Sequence, residues 1–361
     1  MIVTTHFPCG NGRVRWIKPG HFEVESIAYS KAPRYVTFKI LGIKTPVRQR
    51  VIIRPDSSFH ASFLGLCARI WIRRTPGAEW EALPDSEVDF SPEAFVFYLD
   101  LEPGDEVTIS TEPPREYVAS TGDLFRIAEE RPHEASMHLV GASIEQRPIL
   151  ALRISGGGLE RPGQETRPVV LICAGEHATE FSGEEMVRGM LGYVLADTPA
   201  SRALRETFIF DFILNENPDG NYHGWHQYNA RDWAEHNYAE VVDRSWHHEF
   251  EDYMEGRNRE NASPETVALC SWLLKTRPTF HINAHSWLGH GGNPGAFYAD
   301  PELLSPSMAV AVSELNRTAR ETAATLGVTF ETYPTKNLCA GHLGDFLMKN
   351  ELCIAYSIEG H

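Results

Sequence analysis

No apolar run in this 361-residue chain approaches the roughly 20 residues needed to cross a bilayer, so no membrane-spanning segment is expected. Residues 1–8 (MIVTTHFP) lack a basic stretch followed by an apolar one, which speaks against a secretory signal. Positive charge is also scarce. Lys and Arg number 33 against 49 Asp and Glu, for a formal net charge of −16. That balance speaks against a nucleic-acid partner, because gripping a polyanion takes clustered Lys and Arg. The six cysteines, Cys9, Cys67, Cys173, Cys270, Cys339 and Cys353, are scattered and several fall inside expected buried elements. They read as reduced core thiols of a cytoplasmic protein and not as a disulfide frame. Internal repeats and low-complexity tracts are missing as well, and nothing in the sequence fixes an oligomeric state.

What is present is globular. A content of 42% hydrophobic and 23% charged residues, at this length, is enough for two domains with filled cores. Residues 1–114 read as β: the runs 22–28, 35–41, 68–73, 94–99 and 106–110 are rich in β-branched and aromatic residues, with turn signals such as Lys18-Pro19-Gly20 and Pro103-Gly104-Asp105 between them. They predict an antiparallel β-sandwich domain, closed by the Pro113-Pro114 pair. Residues 115–361 alternate strands with helices. Val169–Ala174 is a continuous apolar run of the kind buried on both faces of a parallel sheet. Glu184 and Glu185 then open a helix with Met186, Val187, Met190, Leu191, Val194 and Leu195 at helical spacing. Ser263-Pro264 and Ser305-Pro306 start two more, and Gly327 ends the second of these. The expected fold class is α/β: a mixed, largely parallel sheet with helices on both faces, preceded by the β-sandwich.

The chemistry-bearing residues sit where such a sheet places its sites, in loops at the carboxyl ends of strands. His177 and Glu180 follow the first apolar strand, His285 ends the strand at 279–284, and Glu359 closes the one at 353–358. Two imidazoles and a carboxylate can hold Zn²⁺ and leave a coordination position open, the mark of a hydrolytic site. A further acid nearby can take a proton from water. Taken alone, His-x-x-Glu carries little weight, since 16 His and 49 acidic residues produce such pairs by chance. The plain alternative is a salt-bridged loop His and a surface Glu, with Glu359 an exposed acid near a chain end.

An ordered set of motifs adds to this. Residues 139–149 (LVGASIEQRPI) resemble the Gly-x-Ser-x-x-x-Arg-Pro-Ile entry strand of zinc carboxypeptidases. His177-Ala178-Thr179-Glu180, Asn217-Pro218-Asp219-Gly220, Asp243-Arg244-Ser245-Trp246, His285-Ser286-Trp287 and Ile358-Glu359 follow in that family's order, across roughly residues 115–361. The resemblance, which the amino-terminal β domain extends to the cytosolic carboxypeptidase branch, implies one zinc ion per chain held by His177, Glu180 and His285. It implies Glu359 as the general base and Arg244 as the clamp on the terminal carboxylate of a peptide substrate, with Asn217 in the substrate-binding set. Arg presents a planar fork suited to gripping a carboxylate with two bonds.

The chain also departs from the family. The Arg expected to polarise the carbonyl oxygen is replaced by Gln227 in the stretch 224–230 (GWHQYNA). Arg231 is the candidate substitute in the catalytic set, with His226 and Gln227 as further donors. Asp243 stands either for the Asn that helps hold the terminal carboxylate or for the Asp that orients the first His. In a carboxylate pocket its charge would repel that substrate group, which leaves room for another amide. The phenol expected near residues 341–346 is missing, with Tyr333 and Asn337 the nearest candidates. Adjacent His247 and His248 suit joint ligation poorly, so the stretch 225–250 reads as a packed loop. The leading expectation is a zinc metallopeptidase cleaving a C-terminal peptide or isopeptide bond. The alternatives are a zinc-dependent deacylase of N-acyl amino acids and an inactive peptide-binding relative.

Overall fold

The structure is a computed structural model that describes residues 1–18, 20–25, 35–54, 69–91, 94–226, 228–230, 249–257, 259–286, 294–335 and 343–359. The amino-terminal part consists of two five-stranded sheets. The first has the order β1 (Ile2–Thr4), β4 (Thr37–Leu41), β10 (Val107–Ser110), β6 (Trp71–Arg74), β7 (Glu81–Ala82). The second runs β2 (Arg13–Lys18), β3 (His21–Glu25), β5 (Val47–Arg54), β9 (Phe95–Leu101), β8 (Asp89–Phe90). Alternation explains how they join: in β9, Phe95, Phe97, Leu99 and Leu101 point inward while Tyr98 and Asp100 face solvent. Those four meet Phe22, Phe38, Ile40, Val51, Ile53, Val107 and Ile109 in one apolar core between the sheets. Each fully buried side chain of this kind contributes about 1.5–3 kcal/mol.

The expected sandwich is antiparallel except at one place. β3 and β5 pair in parallel, because β4, which lies between them in sequence, belongs to the opposite sheet and the chain crosses over and back.

The second part begins with α1 (Tyr117–Glu130), followed by β11 (Ala135–Ala142), β12 (Pro148–Ile154), β13 (Val169–Ala174), α2 (Phe181–Leu195), α3 (Pro199–Thr207), β14 (Ile209–Ile213) and α4 (Pro218–His223). Then come α5 (Phe250–Met254), α6 (Pro264–Thr276), β15 (Phe280–His285), β16 (Gly295–Ala299), α7 (Pro306–Thr325), β17 (Glu331–Thr335), α8 (Leu343–Lys349) and β18 (Ile354–Glu359). The eight-stranded sheet has the order β11-β12-β14-β13-β15-β18-β16-β17. Its centre, β14-β13-β15-β18, is parallel throughout. The flanking pairs β11/β12, β12/β14 and β16/β18 are antiparallel, so the sheet is mixed and largely parallel, as expected.

All six residues of β13 are buried, because helices cover both faces. Leu124 of α1 and Val187, Leu191 and Val194 of α2 pack on one face against Val170, Ile172 and Phe212. Leu269, Trp272 and Leu273 of α6, Val312 of α7 and Leu347 of α8 pack on the other against Leu171, Cys173 and Ile213. Ser263 and Ser305 cap α6 and α7 as their Ser-Pro signals predict, each hydroxyl accepting from the amide three residues on.

Two local expectations are corrected. The segment 139–149 is not one strand: β11 ends at Ala142, residues 143–147 turn with Gln146 at φ +65°, and β12 leads back from Pro148. And α2 starts at Phe181, one turn before Glu184 and Glu185, with Glu180 at its N-cap.

The two parts touch around α4. The Cys9 amide donates to the Tyr222 carbonyl at 2.8 Å, and Asn11 Nδ2 to the Gly224 carbonyl at 2.9 Å. Gly224 ends α4 at φ +71°, where a Cβ would sit 3.0 Å from Asn11 Cβ and the Gly10 carbonyl oxygen; only glycine fits both demands. Among the described residues no helix is long and apolar enough to cross a membrane.

Candidate metal centre

One loop and two strand ends meet at the carboxyl edge of the parallel strands. The loop after β13 carries His177 and Glu180, β15 ends in His285, and β18 ends in Glu359, whose backbone lies in register with that of His285. One ligand atom each from His177, Glu180 and His285 lies within 4.8 Å of the others. Nδ1 of His177 is 3.1 Å from Oε1 of Glu180, and Nδ1 of His285 is 2.8 Å from Oε2. The two imidazole rings meet edge to face with centroids 4.9 Å apart.

Close packing sets this geometry. A Cβ on Gly183 would lie 2.5 Å from the Ala284 carbonyl oxygen, so glycine lets the first turn of α2 press against the end of β15. The Gly183 amide donates to Ser286 Oγ at 2.9 Å, and the Ser286 amide donates to Glu180 Oε2 at 3.1 Å. Ser286, next to His285 in sequence, therefore aims the carboxylate across the gap.

The electrostatics ask for a cation. Burial alone would raise the Glu180 carboxyl, but the facing imidazoles of His177 and His285 more than offset it and hold it well below the ordinary range. Burial works against a charged His285, yet Glu180 first, then Glu359 and Glu176, raise it to about 10. Two imidazoles beside three carboxylates, with one N, one O and one N donor within 4.8 Å, are a donor set that fits Zn²⁺ and leaves room for a further ligand.

Behind this set lies a layer whose role sequence reasoning did not find. Asn283 Nδ2 donates to Glu176 Oε2, which stands 3.9 Å from His285 Nε2. Glu216 is buried nearby, and burial followed by the charge of Glu176 pushes its carboxyl up to about 8. The only sequence signal was position: Glu176 and Glu216 come two and three residues after the ends of β13 and β14. On the other side of Glu180, His226 lies with its Nε2 3.7 Å from Glu180 Oε1, its Nδ1 2.8 Å from Thr179 Oγ1 and its ring 5.1 Å from that of His177. The Ala178 amide donates to the His226 carbonyl at 2.8 Å, which ties this segment to the ligand loop.

Asn217, expected among the substrate-binding residues, is fully buried at the N-cap of α4. Its Oδ1 accepts from the Gly220 amide at 2.9 Å and its Nδ2 donates to the Tyr228 carbonyl at 2.9 Å, so both ends of the amide are occupied within the chain. Asp219 is also fully buried. It accepts from Ser143 Oγ at 2.6 Å, from the Glu145 amide at 2.9 Å and from Arg147 at 2.6 Å. The Ser and Arg of the 139–149 motif thus hold the Asp of Asn-Pro-Asp-Gly. Tyr333 stands on β17, the edge strand, stacked on Phe297. Gln227, Arg231, Asp243, Arg244, His247, His248 and Asn337 lie outside the described residues.

The chain is similar to known carboxypeptidases in sequence and in fold. Cytosolic carboxypeptidase 2 of Xenopus tropicalis is 28% identical over 88 residues, covering 24% of this chain and 9% of that protein. An inactive metallocarboxypeptidase of Blastomyces gilchristii is 29% identical over 161 residues, covering 43% of this chain and 26% of that protein. The chain therefore spans only a minor share of these curated relatives. Among solved structures, a metallo-carboxypeptidase from Pseudomonas aeruginosa in complex with (2-guanidinoethylmercapto)succinic acid superposes with a TM-score of 0.75 at 17% identity, covering 100% of this chain and 90% of that one. A metallo-carboxypeptidase from Burkholderia cenocepacia gives 0.75 at 16% identity, covering 99% and 89%. The family description "Zinc carboxypeptidase" matches residues 123–359, which include every residue of the site, and the chain belongs to the zinc carboxypeptidase family.

Proposed function

We propose that the protein is a metallocarboxypeptidase that hydrolyses a C-terminal peptide or isopeptide amide bond. The observation that carries this reading is the convergence of His177, Glu180 and His285, with Glu359 in register beside His285. The family implies a zinc cofactor, which His177, Glu180 and His285 would hold and which, when bound, would supply Lewis acidity towards a carbonyl group. Glu359 accepts the proton of the attacking water at its carboxylate and returns it to the leaving amine nitrogen as the C–N bond breaks. Glu180, held ionised by its neighbours, keeps both imidazoles oriented.

Substrate contacts follow the sequence reading. Arg244 grips the terminal carboxylate with Asp243 beside it, Arg231 or Gln227 donates to the carbonyl oxygen, and His226, close to the ligand set, is a further donor. Asn217 acts by capping α4 and tying it to the Tyr228 carbonyl. A cytoplasmic setting is supported by the cytosolic carboxypeptidases among the relatives and by the buried free thiols of Cys9, Cys173, Cys270 and Cys353.

The test is an assay of the zinc-loaded protein on peptides ending in acidic, basic or apolar residues, alongside N-acyl amino acids. Release of single C-terminal residues supports the reading. Turnover of acyl amino acids alone makes the protein a deacylase. Zinc binding without any turnover aligns it with the relative named inactive.

A further inference from the structure

A second group of donors lies in the sheet itself. Cys173 on β13, Glu216 after β14 and His281 on β15 come from three adjacent parallel strands, and one ligand atom from each lies within 4.8 Å of the others. All three are buried, at 0%, 2% and 2% exposure. Their register explains the meeting: Cys173 pairs with Ile213 on one side and Asn283 on the other, and His281, two residues before Asn283, shares its face. Leu171, Ile213, Phe250 and Cys270 belong to the same core cluster as Cys173.

A thiol, a carboxyl and an imidazole gathered in such a core need a reason. Buried polar groups are normally hydrogen-bonded, and buried charges paired or coordinated to metal. Of these three, Glu216 has a buried acceptor, Oε2, without a hydrogen-bond partner among the described residues. An unmatched acceptor calls for a cation or a donor.

We propose that Cys173, Glu216 and His281 form a second, structural zinc site, distinct from the one at His177, Glu180 and His285. One ion replaces the thiol proton and the Glu216 proton, so a dication with a thiolate, a carboxylate and a neutral imidazole is a net-neutral complex suited to a dry interior. Ligand atoms around tetrahedral zinc stand roughly 3.3–3.6 Å apart, so closing on the ion needs at most a small contraction. The site would clamp β13, β14 and β15 just below the loops that carry His177, Asn217 and His285. It does not depend on the reaction proposed above.

The experiment is a Co²⁺ titration of the full chain after chelation, read by bound equivalents and by the near-ultraviolet thiolate-to-cobalt charge-transfer band. Two equivalents are expected, one with the band. Cys173→Ala and Glu216→Gln should each lose that equivalent and the band while keeping the other. His177→Ala should lose the other and keep the band. One equivalent without the band in the parent, the signature of a proton- or water-satisfied cluster, overturns the proposal whether or not either variant folds. So does a band that persists in a folded Cys173→Ala protein. Failure of the His177 site alone would show as a single equivalent with the band intact.

Discussion

Glu180 and His285 stand 105 residues apart in sequence, yet Nδ1 of the imidazole lies 2.8 Å from Oε2 of the carboxylate. That contact joins the ligand loop after β13 to the end of β15. Glu180→Gln keeps the shape of the side chain but removes the charge that both imidazoles face. Zinc affinity at this site should fall more than about 100-fold, since changes merely behind a ligand already cost 10–100-fold. Competition against a coloured chelator measures it; unchanged affinity would remove Glu180 from the ligand set.

Glu359 offers a cleaner separation of chemistry from binding. Glu359→Gln should lower kcat by about 10²–10⁴-fold, the usual worth of a positioned acid–base group, with bound zinc and KM little changed. Parallel metal analysis and steady-state kinetics test this. A variant as fast as the parent would take the proton-transfer role away from Glu359.

Gly183 is where packing fixes the site. Gly183→Ala places a methyl 2.5 Å from the Ala284 carbonyl oxygen, so either α2 or β15 must move. The expected cost is about 1–3 kcal/mol in urea unfolding, the range for an overfilled core, together with weaker zinc binding because Glu180 shifts with the helix. A neutral result in both would mean the first turn of α2 is looser than this contact implies.

Glu265 predicts a pH dependence. It is fully buried in the first turn of α6, where it accepts from the Ile144 amide at 3.3 Å and from Asn229 Nδ2 at 3.0 Å. Burial, aided by the charge of Asp219, raises its carboxyl from 4.5 to about 7, although those donors pull the other way. The fold therefore favours the protonated form. Its destabilising effect is absent below pH 4.5, grows between 4.5 and about 7, and is complete above that. Glu265→Gln should match the parent near the acid end of this window and gain up to roughly 3 kcal/mol over it at the alkaline end, at about 1.4 kcal/mol per pH unit. Unfolding free energies measured across the window decide it; parallel curves for the two proteins would contradict the assignment.

Much of the fold was legible because burial leaves a pattern. The apolar run Val169–Ala174 and the Ser-Pro helix starts carry their own signals, and each of the five strands expected in the amino-terminal part is matched by an observed one. Val47–Arg54 was not recognised, because Arg48, Gln49 and Arg50 interrupt the apolar alternation, and Gln49 is nonetheless fully buried. The turn at 143–147 was hidden for a different reason. What folds it is Asp219, more than 70 residues away, which accepts from Ser143 and Arg147, and no local propensity reports a partner that distant. The start of α2 was misplaced because Glu184 and Glu185 look like first-turn acids, while Phe181, packed on Tyr35 of the amino-terminal part, lies in the turn before them. His177, Glu180 and His285 were legible as a motif, and Glu176, Glu216 and Asn283 behind them were not, since only the folded register brings those side chains together.

The central claim is that the site at His177, Glu180 and His285 cuts amide bonds only with its metal in place. Release of free C-terminal amino acid from a short peptide, followed before chelation, after chelation and after zinc is restored, tests it most directly. The account predicts release that vanishes in the chelated protein and returns with zinc. Undiminished release from a chelated protein shown to be free of metal would contradict it.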